Sequence, residues 1–128
     1  MILSGNKAKT LPVIIYDEMK GTISITGRSI SVAVEEYFSN FLPYLKDNLE
    51  KNPMDITVEL DIEYFNTKTA RLLLRFFYTI KEYVVDKNFK ADITWIIEEW
   101  DDDIKEAAED YAIMSKMEFK YIYKPEED

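Results

Sequence analysis

The stretch "MDITVELDIEYFNTKTARLLLRFF", Met54 to Phe77, holds both kinds of secondary structure and an abrupt join between them. Its first half alternates. Ile56, Val58, Leu60 and Ile62 fall on one face of an extended chain, and Thr57, Glu59, Asp61 and Glu63 fall on the other. A period of two with one apolar face predicts a strand with one side on the core and one side polar. The second half changes period. Ala70, Leu73, Leu74, Phe77, Ile80 and Val84 recur at helical spacing, which predicts a helix from near Thr67 to about Val85. A strand running directly into a helix is the repeating unit of an α/β fold.

Upstream, "LPVIIYD" (11–17) and "TISITG" (22–27), joined by "EMKG", read as a β-hairpin. Ser29 or Ser31 can cap a first helix. There Val34, Phe38, Phe41, Leu42, Leu45 and Leu49 recur every three or four residues until "KNP" (51–53), and Pro43 inside the pattern predicts a kink or break. Downstream, "KADITWIIEE" (90–99) is a strand with Trp95 in the core. Asp101, Asp102 and Asp103 open a third helix that buries Ile104, Ala107, Ala108 and Tyr111, and "EFKYIYK" (118–124) reads as an edge strand. The order β-β-α-β-α-β-α-β predicts a single α/β domain over residues 1–128, with its core at about 10–124 and short flexible ends. Its sheet is mixed and five-stranded, with right-handed crossovers and helices mainly on one face.

Composition narrows the function. With 47 % hydrophobic and 14 % aromatic residues, 128 residues can bury a real core. The net charge of -9, from 25 acidic and 16 basic residues, argues against binding nucleic acid or an anionic membrane surface. There is no cysteine and no histidine. These absences remove disulfides, thiolate and imidazole metal sites, Cys or His nucleophiles and the usual general base near neutral pH. No apolar run approaches the roughly 20 residues of a membrane span, and the N-terminus lacks a signal-peptide core. The chain therefore reads as cytoplasmic.

Three segments carry candidate chemistry. At Asn66, Thr67 and Thr69 a helix cap needs one polar residue, Asn66 or Thr67, yet three are present. The other reading is a phosphorylation site. A phosphate at a helix start meets free backbone N–H groups, and Lys68 or Arg71 is placed to pair with it. Thr67, Arg71 and Arg75 share a helix face by their spacing of four. "TGRS" (26–29) reads as a tight turn with a cap or as an anion-binding turn; no P-loop pattern is present. "EEWDDD" (98–103) lacks the spacing of a calcium loop and reads as an acidic helix start, with Trp100 either a partner anchor or packed under the sheet.

"YFNT", followed by one polar position, a hydroxyl residue and an apolar helix, resembles the "YFNTSS" segment of the SiaC family of bacterial regulatory phosphoproteins. "TLPVIIYDEMKGTISITGRS" is similar to that family's opening hairpin and Gly-Arg-Ser turn, as are the spacing of Tyr37, Phe38, Pro43 and Leu45 and the segment "ITWIIEEWDDDIKEAAED". The resemblance runs from about Thr10 to about Asp110. It implies a STAS-like fold and a non-enzymatic regulator with no cofactor. The threonine of the motif maps onto Thr67, which a protein kinase phosphorylates and a PP2C-type phosphatase restores. The unphosphorylated form would bind and activate a diguanylate cyclase in cyclic-di-GMP and biofilm-type signalling. Gly27, Arg28, Ser29, Asn66, Lys68, Thr69 and Arg71 are the expected partner-binding residues. The chain departs from the family's "GRSYPEN" with "GRSISVA", and places Lys68 and Thr69 where the family has two serines. Alternative readings are an anti-sigma-factor antagonist of the STAS type and a small carboxylate-based enzyme.

Overall fold

A computed structural model describes residues 1–125. Among them lie six strands and three helices in one α/β domain: β1 (Ile2–Leu3), β2 (Val13–Asp17), β3 (Thr22–Ser29), α1 (Val34–Lys51), β4 (Ile56–Phe65), α2 (Thr67–Lys87), β5 (Ala91–Glu98), α3 (Asp102–Ser115) and β6 (Lys120–Lys124). The strands lie side by side in the order of the chain. β1, β2 and β3 are antiparallel neighbours, and β3 to β6 are all parallel. Each crossover steps the same way across the sheet, so right-handed connections put every helix on one face. The core is the layer between, where Ile23, Ile25, Val58, Leu60, Ile93 and Trp95 meet Phe38, Phe41, Leu73, Phe76 and Phe77. The opposite face stays open. There Lys124 Nζ lies 2.9 Å from Asp61 Oδ1 and 3.5 Å from Glu98 Oε1, and the hydrogen bond to Asp61 is the main cause of its raised pKa.

Four expectations need correction. The sheet has six strands, not five, because the segment before Thr10 adds β1 against β2. That segment is also tied by its loop: Gly5 N–H donates to the Tyr37 hydroxyl at 2.8 Å, and Asn6 Oδ1 accepts from Thr10 N at 2.9 Å. Pro43 does not break α1. It sits on the exposed side, where water can take the carbonyl it leaves unbonded. The buried stripe of α2 is Thr69, Leu72, Leu73, Phe76, Phe77, Ile80 and Tyr83, turned from the predicted one so that Ala70, Leu74 and Val84 are only half-buried. A helix packed between α1 and α3 as well as on the sheet buries a wider arc than one apolar stripe marks. Finally, "TGRS" is the end of β3 and not a turn, and Ser29 caps nothing; α1 begins after Ala33 with no side-chain cap. At the C-terminal end, predicted to be loose, Glu126, Glu127 and Asp128 lie outside the described residues.

Candidate functional site

Most of the predicted residues meet where β4 enters α2, and a bulge shapes that junction. The β3–β4 register runs Thr26 with Asp61 and Gly27 with Ile62, then slips to Arg28 with Tyr64 and Ser29 with Phe65. Glu63 is the extra residue. The slip reverses the alternation of β4: Tyr64, which strict period two would turn inward, is 61 % exposed, and Phe65 packs against the core. Gly27, at φ +102°, supplies the backbone shape on the facing strand.

Asn66 follows and closes the junction. Its side-chain carbonyl accepts from Thr69 N at 2.9 Å and from the Thr69 hydroxyl at 2.8 Å, while its own N–H donates to Ser29 O at 3.0 Å. Asn66 is therefore the cap, and Thr67 is not. Thr69 and Ser29 are both fully buried, their hydroxyl oxygens 2.8 Å apart, and Thr69 also reaches Ser29 O at 2.8 Å. Burial leaves the side chains of Ser29 and Thr69, both expected at the partner surface, no outward face of their own; they hold β3 to α2 from inside.

Thr67 is left exposed as the first residue of α2. It lines a groove of about 330 Å³ between α2 and α3 with Phe65, Ala70, Leu74, Ala107 and Met114. Arg71 stands at that groove's rim, and with Lys68, Arg75 and Glu35 it also lines a second depression on the α1 side. Tyr111 fixes the helix pair by donating from its hydroxyl to Ala70 O at 2.7 Å, and burial pushes its pKa up. Thr67, Arg71 and Arg75 are all exposed along α2 at their spacing of four, but Arg75 lines only the α1-side depression and not the groove. Arg28 lies apart from Thr67, in a cleft with Asp61, Tyr64, Glu98 and Trp100; Trp100 is 63 % exposed, not packed under the sheet.

The charges at the three helix starts differ. α1 begins with Glu35 and Glu36 and α3 with Asp102 and Asp103, whereas the first turn of α2 holds no acid. Its dipole is therefore uncompensated, and the N–H groups of Thr67 and Lys68 precede the first helical bond, made by Ala70 N to Asn66 O. Chemically, the junction is a rigid platform that presents one hydroxyl beside two cations. The groove residues of α3 escaped sequence reading because they share no motif with "NTKT"; the half-buried Ala107 and the exposed Met114 would have flagged them only with the helix packing known.

A sequence model of the SiaC family, described as regulatory phosphoproteins, matches residues 5–124. No curated protein matches. Among solved structures, the chain is similar to apo-SiaC from Pseudomonas aeruginosa, with TM-score 0.79 and 18 % identity over 97 % of each chain. It is also similar to a chain in the complex of the diguanylate cyclase SiaD with its activator SiaC from the same organism, with TM-score 0.83 and 17 % identity over 98 % of this chain and 99 % of that one. No helix among the described residues is long and apolar enough to cross a membrane.

Proposed function

This chain belongs to the SiaC family of regulatory phosphoproteins, and on that premise we propose that it is a cytoplasmic, non-enzymatic signalling regulator switched by phosphorylation of Thr67. The observation that carries this reading is the division of labour at the junction. Asn66 does the capping, Ser29 and Thr69 are buried, and Thr67 alone offers an exposed hydroxyl at an uncompensated helix start. A protein kinase adds the phosphate and a PP2C-type phosphatase removes it. The unphosphorylated form binds and activates a diguanylate cyclase, as the relative SiaC is the activator of SiaD.

The mechanism follows from the surroundings of Thr67. Unmodified, its hydroxyl lies in the wall of the α2–α3 groove, and the groove's apolar floor is free for a partner. A phosphate brings a charge of about -1.5 to -2. It is held by the free N–H groups of the first turn and by Lys68 or Arg71. A bulky, hydrated group then stands at the rim of an apolar surface, and docking requires its desolvation.

Intact-mass analysis of the protein from its own cells, with fragmentation, should locate a phosphate on Thr67. In a pull-down against the cell's diguanylate cyclases, Thr67→Ala should bind constitutively and Thr67→Asp about a hundredfold more weakly, which corresponds to roughly 3 kcal/mol. Equal binding by Thr67→Asp and wild type would sink the switch. Recovery of an anti-sigma factor in place of a cyclase would keep the switch and change the partner.

A further inference from the structure

The last strand carries a feature that the switch does not use. β6 ends the sheet, so its outer edge has no strand beside it among the described residues. Its sequence is Lys120-Tyr121-Ile122-Tyr123-Lys124, which reads the same in both directions about Ile122. Ile122 pairs with Ile96 on the open face of the sheet and is 55 % exposed. Tyr121 pairs with the buried Trp95 and so lies on the helix side, and Tyr123 shares that side, with Lys105 Nζ 5.1 Å from its ring centroid. The two lysines carry their own counter-charges. Lys120 Nζ is 3.3 Å from Asp92, and Lys124 lies against Asp61 and Glu98.

We propose that β6 is the contact between two copies of this chain, paired antiparallel about a two-fold axis through Ile122. A two-fold interface needs a surface complementary to itself, and a palindromic edge meets that requirement residue by residue. Ile122 faces Ile122 of the second copy on the open side, and Tyr121 faces Tyr123 on the helix side in both halves. Aromatic cross-strand pairs of this kind stabilise a sheet. Lys120 faces Lys124, which would ordinarily repel, but each already sits beside carboxylates of its own sheet. The opposite edge is β1, two residues long, which is too short to make a competing head-to-tail stack. The result is one continuous sheet across two domains, with both Thr67 sites on the same helical layer.

The absence of cysteine in the chain makes a direct test available. Across an antiparallel pair, facing Cα atoms lie about 4.5–5.5 Å apart, within the range that a disulfide spans. Ile122→Cys should therefore cross-link two copies in air much faster than Met19→Cys, a control at a turn residue that is 91 % exposed. In sedimentation velocity the wild type should be dimeric. Ile122→Arg sets like charges against each other on the axis at a site already half in solvent, and should weaken the dimer at least tenfold with an unchanged circular-dichroism spectrum. A wild type that stays monomeric at about 0.1 mM, a concentration at which any useful self-association is visible, overturns the proposal. So does a dimer that Ile122→Arg leaves intact, or cross-linking at Ile122→Cys no faster than at the control.

Discussion

Thr69 has one hydroxyl proton and three oxygens within 2.8 Å: Asn66 Oδ1, Ser29 O and Ser29 Oγ. The first two can only accept and compete for the single Thr69 proton, so Thr69 donates to one carbonyl or shares its proton between them, and the Ser29 hydroxyl donates to Thr69. The network is satisfied in one direction only, and each member depends on the others. Thr69→Val keeps the shape and removes the donor. It should cost about 1–3 kcal/mol, because a buried Ser29 hydroxyl and two carbonyls lose a partner, and urea unfolding measures this. Asn66→Ala should cost about 1–2 kcal/mol through loss of the cap, with the larger effect on the start of α2 seen by amide exchange. Thr67→Ala, on the exposed side of the same turn, should change stability by less than about 0.5 kcal/mol, which separates its effect on binding from any effect on folding. At this scale the sequence was only half legible. "NTKT" marks the junction, but which hydroxyl turns inward depends on Ser29, forty residues away in the chain.

Among the elements, the alternating faces of β4 and β5 and the acidic start of α3 could be read directly, because each is a local pattern. The misreadings came from neighbours. β1 is two residues long and gains its pairing only from β2. The bulge at Glu63 leaves no mark in the alternation before it, and "TGRS" looks like a turn because Gly27 has the backbone freedom a turn would need. Gly27→Ala has open space for its Cβ and still meets a φ of +102°. A loss of about 1 kcal/mol is expected from the backbone alone, and the bulge should relax with it, so a binding assay would register the shift of Tyr64. Pro43 in the unbroken α1 makes the opposite prediction. Pro43→Ala restores a helical hydrogen bond at an exposed site and should raise stability by up to about 3 kcal/mol, read as a higher Tm.

For the molecule as a whole, the lack of histidine has a measurable consequence. No side chain has its ordinary pKa near neutrality, so partner binding by the unmodified protein should be nearly flat between about pH 6 and 8. The phosphorylated form should differ, since a phosphothreonine takes its second charge near pH 6; residual binding should fall as pH rises through that value. Stability should fail at the alkaline end. Burial first, and Glu18 second, raise Tyr16 from 10.0 to about 12, and burial also raises Tyr37, Tyr83 and Tyr121. Between those values the folded state keeps a proton that the unfolded chain releases. This contribution is intact below about pH 10 and is lost as pH climbs toward 12, which a pH series of thermal melts would display.

The strict chain-order arrangement of the sheet also bears on biosynthesis. Each strand docks on the one made just before it, so a ribosome-bound chain can build the domain outward without waiting for a distant segment. Ser29, Asn66 and Thr69 all precede the end of α2, and their lock can close as soon as that helix emerges. The α3 wall of the groove, with Ala107 and Met114, is translated later. During translation there is thus an interval in which Thr67 already stands at a finished helix start while the surface it borders is still half made.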